Sequence, residues 1–402
     1  MQRKNKPPLD GLRIADFTLH AAGPFCTQML TALGAECIKI ETAGRLDIFR
    51  KPHPVYGRME AATFDQVGAG KLSVRLNLKT PRGVELAKQL VGLSDVVAES
   101  FRPGVMHRLG LDYETLSALN PQIVMVSVSA AGQTGPESRH AGYAPLFGAS
   151  GGLGSLTGYE DGPPVEVRHV MDHSTGMAAS NAVLAACVAR KRTGRGQHVD
   201  VAAREVAMSF VGDALLEQAV TGRPQHRQGN DMPNRAPHNV YRCQGDDTWA
   251  SISVANDEQW HKLLGATGQQ QWGDDARFLT QLLRWNNRRA LDAEVSRWMA
   301  QHTREEVTRL LQQAGVPAFP SYTSRDLVAD PHLRERGVIQ TMTGPDGSVR
   351  DVVAAPWRFE ATPARPSGWT PALGEHNDYV YGELLGLGKA EIMRLADEKV
   401  IW

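Results

Sequence analysis

The chain has 402 residues, 42% of them apolar, and its 44 basic side chains balance its 44 acidic ones. That is apolar matter enough for one large or two ordinary domains, and a net charge of zero gives no bulk attraction for nucleic acid or an anionic membrane. No apolar run is long enough to span a bilayer, and the basic start MQRKNKPPLDG is followed by no apolar stretch of the kind a secretory signal carries. Cys26, Cys37, Cys187 and Cys243 are scattered without a C-x-x-C pair, and the 13 histidines show no H-E-x-x-H spacing. Neither a disulfide framework nor a metal site is expected, and the expected compartment is a reducing cytoplasm.

In chain order, residues 12–17 (LRIADF) read as a short strand that Gly23-Pro24 breaks. Residues 25–33 follow as a helix, with Gly34 placed where a left-handed residue closes a helix end. Residues 36–41 (ECIKIE) are the next strand, 72–78 alternate like another, 83–93 are helical and 95–98 (DVVA) are strand-like. Residues 123–129 (IVMVSVS) are β-branched and apolar, as a strand buried in a parallel sheet must be. This alternation is the pattern of an α/β domain.

Residues 148–158 (GASGGLGSLTG) read as a glycine-rich loop, either a plain connection or a gate over a substrate. Residues 174–191 form a long alanine-rich helix, 199–202 a short strand and 205–221 a further helix. The polar, Pro-rich stretch 222–238 reads as a linker. Strand patterns and Trp-bearing helices over 241–317 suggest a second, smaller domain, and mixed loops then lead to a helix-like 389–399.

The motifs that would name a cofactor are missing. The first strand leads into His20-Ala21-Ala22-Gly23-Pro24, which lacks the G-x-G-x-x-G spacing of a dinucleotide site. No G-K-[ST] phosphate loop and no G-x-S-x-G elbow occurs. Asp172, in VMDHSTG at the start of the alanine-rich helix, stands out. An Asp there commonly caps the helix. It also feels the positive end of the helix dipole, stays ionised and, partly desolvated, can act as a nucleophile. The residues alone leave both roles open and name no substrate.

The stretch LRIADFTLHAAGPFCTQMLTALGAECIKIE resembles the opening of the family III, formyl-CoA transferase-like CoA-transferases. The likeness continues through GKLSVRLNLKT, DVVAESFRPGVMHRLGLDYETLSALNPQIVMVSVSAAGQTGP, GYAPLFGASGGLGSLTG and MDHSTGMAASNAVLAACVARKRTGRGQHVDV, then NVYRCQGDDTWASISV, ADPHLRERGVI and PALGEH. It implies a large Rossmann-like α/β domain over 1–222, a linker and smaller α/β domain over 223–325, and a segment 326–402 that returns to the large domain. It implies an interlocked dimer, two subunits threaded like links of a chain, with CoA on the large domain. No tightly bound cofactor is expected; CoA and acyl-CoA are substrates. The reaction implied moves CoA from an acyl-CoA to a free carboxylic acid, and Asp172 matches the family's nucleophile.

The resemblance also assigns CoA contacts. His20 and Ala21 match backbone positions lining the CoA pocket, Leu76 an adenine-lining residue and Lys79 a basic residue near the phosphates. Ser100 and Phe101 match a pantetheine-contacting pair, and Arg108 a phosphate position, where a cation is the physical expectation. Each is otherwise an ordinary surface cation or core side chain. Two departures matter: Ser100 stands where Asn is usual, and Thr42 replaces an Arg, so Arg45 or Arg50 is expected to meet phosphate instead. The family's mobile glycine run is replaced by Asn234-Arg235-Ala236-Pro237-His238. That points away from formyl or oxalyl groups and toward a dicarboxylate or aryl-substituted dicarboxylate acceptor with succinyl-CoA as donor, Arg235 or His238 pairing with the second carboxylate; both are otherwise linker residues.

An α-methylacyl-CoA racemase needs a base on each side of a carbon. The matching segment, Ala141-Gly142-Tyr143-Ala144, offers tyrosine, a poor base at neutral pH, and His140 lies three residues early. A CoA-binding subunit of a hetero-oligomeric transferase would lack the Asp, though such a partner for this chain stays open. A nicotinamide dehydrogenase fits the α/β rhythm only.

Overall fold

The computed structural model describes residues 6–51, 59–167, 170–345, 347–364 and 368–402. Short strands β1 (Arg13–Asp16), β2 (Glu36–Glu41), β3 (Leu72–Arg75), β4 (Val96–Glu99), β5 (Val124–Ser129) and β6 (His198–Ala202) form one sheet in the order β3-β2-β1-β4-β5-β6. All five pairings are parallel, which is the Rossmann order of strands. The helices between them are α1 (Ala22–Ala32), α2 (Met59–Gly68), α3 (Pro81–Gly92), α4 (Val105–Arg108), α5 (Tyr113–Leu119), α6 (Ala144–Ser150), α7 (Leu153–Leu156) and α8 (Val170–Thr193). Local chemistry sets their ends. The Thr80 hydroxyl accepts from the Gly83 N–H with Pro81 in the first turn of α3, and Gly34 takes φ +106° just past α1.

The period-2 alternation of the strands builds two cores. Val124, Val126 and Val128 of β5 pack with Leu30 of α1 and Val183 of α8. Met125, one residue out of phase, joins Ile38, Val97, Leu86 and Leu116 on the other face. Each fully buried side chain of this size contributes about 1.5–3 kcal/mol. The chain's end belongs to the second core: Val380, Tyr381, Leu395, Val400 and Ile401 are buried there. His376 and Asn377 cover the outer edge of β3, with the Ser73 N–H donating to His376 Nδ1 at 3.2 Å and the Arg75 N–H to Asn377 Oδ1 at 3.0 Å.

Residues 1–154, 166–224 and 331–402 form one compact unit, and 155–165 with 225–330 form another. The second unit has its own antiparallel sheet of β7 (His238–Arg242), β8 (Trp249–Ser253) and β9 (Ala318–Pro320). Its core gathers Trp260, Leu263, Leu291, Val295, Trp298, Val307 and Leu311.

Three elements differ from the sequence reading. The glycine-rich stretch is largely helical, as α6 and α7. Its glycines serve close packing: a Cβ on Gly151 would fall 2.4 Å from that of Ala207. The helix expected over 205–221 is two, α9 (Ala203–Ser209) and α10 (Gly212–Thr221). The alanine-rich helix begins at Val170, four residues early. All four cysteines are free and buried. Among the described residues, no helix is long and apolar enough to cross a membrane.

Candidate active site

In a sheet of this order, the connections after β1 and β4 leave in opposite directions, and ligands bind in the crevice beyond those two strand ends. The loop after β1 carries His20 and Ala21; the loop after β4 carries Ser100 and Phe101. Ser100 ties them together, its Oγ accepting from the Leu19 N–H at 2.9 Å and donating to the Leu19 carbonyl at 3.1 Å. The Phe101 N–H donates to Glu99 Oε2 at 2.7 Å. His20 adopts φ +67°, a left-handed conformation that costs a side-chain-bearing residue of order 1 kcal/mol. Its N–H donates to Asp47 Oδ2 at 3.0 Å, while Lys39 Nζ donates to the preceding Thr18 carbonyl at 2.7 Å. Buried side chains thus fix the unusual turn from outside it.

Beneath this turn, Lys71 Nζ lies 3.0 Å from Asp16 Oδ2, both side chains fully buried, and also donates to Thr27 Oγ1 and the Pro24 carbonyl. Burial alone would push the Asp16 carboxyl up. The Lys71 and Lys39 ammoniums and the Thr18 hydrogen bonds overcome it and bring it down to about 2.

Asp172 is the third residue of α8 and is half-buried. It therefore sits inside the first turn rather than at the cap, at the positive end of the helix dipole. One turn on, Gly176 shares its face. A Cβ on Gly176 would fall 2.7 Å from the Ala22 carbonyl and 3.0 Å from the Cys26 nitrogen. Glycine thereby lets α8 meet the first turn of α1, where the Phe25 and His173 rings lie edge to face at 4.5 Å. Gly176 and His173 of α8 thus pack against the start of α1, the helix that follows the His20–Ala21 turn.

The expected phosphate contacts divide. Lys79 and Arg108 are exposed and, among the described residues, pair with no carboxylate. Lys79 precedes the capping Thr80 of α3, and Arg108 lies in the last turn of α4. Arg45 is likewise exposed. Arg50 is committed elsewhere: its guanidinium grips Glu41 through two bonds of 2.6 Å and lies 4.0 Å over the Phe64 ring. The expectation of an Arg50 contact with phosphate is therefore replaced by a structural role. Leu76 is buried in the core with Val74, Ile38 and Ile40. Tyr143 and His140, weighed above for proton transfer at carbon, are both exposed.

In the second unit, Arg235 and His238 converge on one hydroxyl. Arg235 Nη1 donates to Ser253 Oγ at 3.3 Å, and His238 Nδ1 lies 2.8 Å from it. His238 and Ser253 line a cleft of about 490 Å³ with Asn230 and Asn239. Burial first, and then the Arg235 charge, lower the His238 pKa, favouring neutral imidazole. The carboxylate nearby is already matched: Asp231 bonds both Arg288 and Arg289. Among the described residues Arg235 has no carboxylate partner.

Sequence reasoning missed the roles of Lys39, Asp47, Asp16 and Lys71, although three of them lie in the motif stretches quoted above. A signal was present: Asp16 and Lys39 interrupt apolar strands, and a charge in such a strand demands a partner.

Comparison with known proteins identifies the family and the fold. A D-citramalate enzyme of Chloroflexus aurantiacus, succinyl-CoA–D-citramalate CoA-transferase, is 36% identical over 98% of both chains. The succinate–glutarate CoA-transferase of Agrobacterium fabrum is 33% identical over 94% of this chain and 96% of its own. The crystal structure of a CAIB/BAIF family protein from Brucella suis superposes with a TM-score of 0.86 at 34% identity, covering 94% of this chain and all of that one. The model of CoA-transferase family III matches residues 9–377, and the chain belongs to that family of enzymes.

Proposed function

We propose that this CoA-transferase moves CoA from succinyl-CoA, or a similar donor, to a dicarboxylic acid through covalent intermediates on Asp172. The observation that carries the reading is the half-buried Asp172 in the first turn of α8, packed through Gly176 against the turn that ends at Ala21–Ala22. A carboxylate is already an anionic nucleophile at neutral pH and needs no general base, unlike a serine.

The steps balance without ATP. A carboxylate oxygen of Asp172 attacks the donor's thioester carbon; the C–S bond breaks, leaving a mixed anhydride and CoA thiolate. The thiolate attacks the aspartyl carbonyl carbon, releasing the donor's free acid and leaving an aspartyl-CoA thioester. The acceptor carboxylate attacks that thioester and expels the thiolate. The thiolate then attacks the acceptor's carbonyl in the new anhydride, yielding acceptor-CoA and restoring Asp172. Water must be excluded throughout, because it would hydrolyse either anhydride.

His20, Ala21, Ser100 and Phe101 hold the pantetheine end in the crevice, with Lys79, Arg108 and Arg45 toward the phosphates. Leu76 acts through the core that shapes the adenine wall. Arg235, with His238 and Ser253, reads the acceptor's distal carboxylate; relatives named for citramalate and glutarate support a dicarboxylate. The working form is an interlocked dimer. A panel of acids with succinyl-CoA as donor tests the substrate reading. Glutarate or a substituted succinate should exceed butyrate at least about tenfold in kcat/KM, the value of one charge-assisted bond. Equal use of butyrate would overturn it.

A further inference from the structure

On the sheet face away from α1 and α8, three polar side chains meet where the strands should be apolar. Glu99 ends β4 and is 2% exposed; Ser127 of β5 is 1% exposed. Ser127 is the direct neighbour of Glu99 in the β4–β5 register and its hydroxyl favours the ionised Glu99 carboxyl, while its Oγ lies 2.9 Å from His198 Nε2 on β6. The Tyr113 ring of α5 stacks on His198, centroids 5.6 Å apart. A small cleft of about 130 Å³ opens onto this chain, too small for an acyl-CoA but sufficient for solvent to exchange protons at His198. The other end of the chain is the Phe101 N–H, 2.7 Å from Glu99 Oε2.

We propose that Glu99, Ser127 and His198 form a proton-sharing chain through which Glu99 positions the Ser100–Phe101 turn for acyl-CoA. The proposal rests on the reading that this turn meets CoA.

Two hydrogen-bond arrangements fit the same atoms. With Glu99 ionised, its oxygens accept from the Phe101 N–H and the Ser127 O–H, and Ser127 accepts from His198 Nε2–H. With Glu99 protonated, the direction reverses: Glu99 donates to Ser127 Oγ, Ser127 donates to His198 Nε2, and the imidazole proton moves to Nδ1. Nothing is consumed; one proton enters from solvent and the bonds reorient. In the second state Phe101 donates to a neutral oxygen, and a bond to a neutral acceptor is about half as strong as one to a carboxylate. The turn is then held less firmly.

Burial pushes the Glu99 carboxyl up to about 7, against the pull of the Ser127 and Phe101 bonds, so both states are populated near neutrality. The groups around it do not override this. Asp200 on β6 raises it further. His198 is shifted down by burial, with Asp200 opposing. Arg102 and His107 line the same cleft, His107 bonded to Asp112. β1 presents Ala15 to this face with Phe17 just beyond it, and Arg13, at the far end of the strand, is paired with Glu36.

The test is the pH dependence of KM for succinyl-CoA between pH 5.5 and 8.5, in the wild-type enzyme and in Glu99→Gln. The amide keeps an acceptor for Phe101 and a donor for Ser127 but cannot titrate. The wild-type KM should rise about fivefold relative to the variant as pH falls through about 7, the factor expected from halving one charge-assisted bond. KM for the acceptor acid should not follow it. Ser127→Ala removes a bond that favours the ionised form and should move the midpoint upward. Identical profiles for wild type and Glu99→Gln would overturn the proposal. Phe101→Ala separates the underlying reading: if it leaves KM for succinyl-CoA unchanged, the turn does not hold CoA and both fail. If it raises KM while Glu99→Gln keeps the wild-type profile, only the proton-sharing chain fails.

Discussion

In the mechanism proposed above, Asp172 is the residue on which the chemistry turns. Asp172→Ala should abolish transfer, because no neighbouring group can replace a lost nucleophile, while CoA binding persists. The variant loses a favourable dipole contact of under about 1 kcal/mol, so thermal unfolding should shift only slightly; retention of a tenth of the activity would contradict the assignment. Asp16 makes the opposite kind of prediction. Lys71→Met strands its carboxylate in the interior and should cost about 3–5 kcal/mol in urea unfolding. Its pKa is depressed from the ordinary 3.8 to about 2. The stabilisation is therefore complete above about pH 4 and lost as pH falls through about 2, contributing roughly 2 kcal/mol to acid sensitivity. Unfolding midpoints measured from pH 5 to pH 2, in wild type and Lys71→Met, check the sign: only the wild type should show this loss. The place of Asp172 at the start of α8 was legible in sequence. Asp47 was not, because it acts through the His20 backbone, a contact that exists only once the loop after β2 has folded beside β1.

At the scale of elements, the proposed mechanism needs the meeting of α1 and α8 to hold Asp172 beside the CoA crevice. Gly176→Val should force the helices apart, costing about 1–3 kcal/mol by overpacking, and should lower kcat more than it raises KM for acyl-CoA. Thermal melts and initial-rate kinetics on the purified variant measure both. The strand Glu36–Glu41 was readable to the residue, because its apolar run is bounded by Gly34 and Thr42. The glycine-rich stretch was not. Glycine in a sequence signals a turn or a close approach alike, and Gly151 is the second, backed against Ala207 of α9. The start of α8 was set four residues late because Asp172 was read as a residue at the helix start that could cap it; Asp172 is instead the third residue of the helix.

For the whole molecule, the parallel sheet follows from the β-α rhythm, but the partner surface does not. α10 leaves Leu215 50% exposed, Leu216 65% and Val220 76%, with Phe210 nearby at 52%. Apolar patches of this kind mark surfaces that another chain covers. Light scattering after gel filtration should therefore give twice the chain mass, and Leu216→Glu with Val220→Glu should lower it or leave the protein unfolded. In an interlocked dimer, dilution releases no folded monomer and the unfolding midpoint rises with protein concentration. A stable, active monomer on dilution would contradict the threaded arrangement.

The covalent role of Asp172 is tested most directly by intact-protein mass spectrometry after brief mixing with succinyl-CoA, followed by peptide mapping and with Asp172→Ala alongside. An added succinyl or CoA mass on the peptide holding Asp172, absent from the variant, is the predicted result. No adduct on the wild-type enzyme while it turns over, or the same adduct on the variant, would contradict the account.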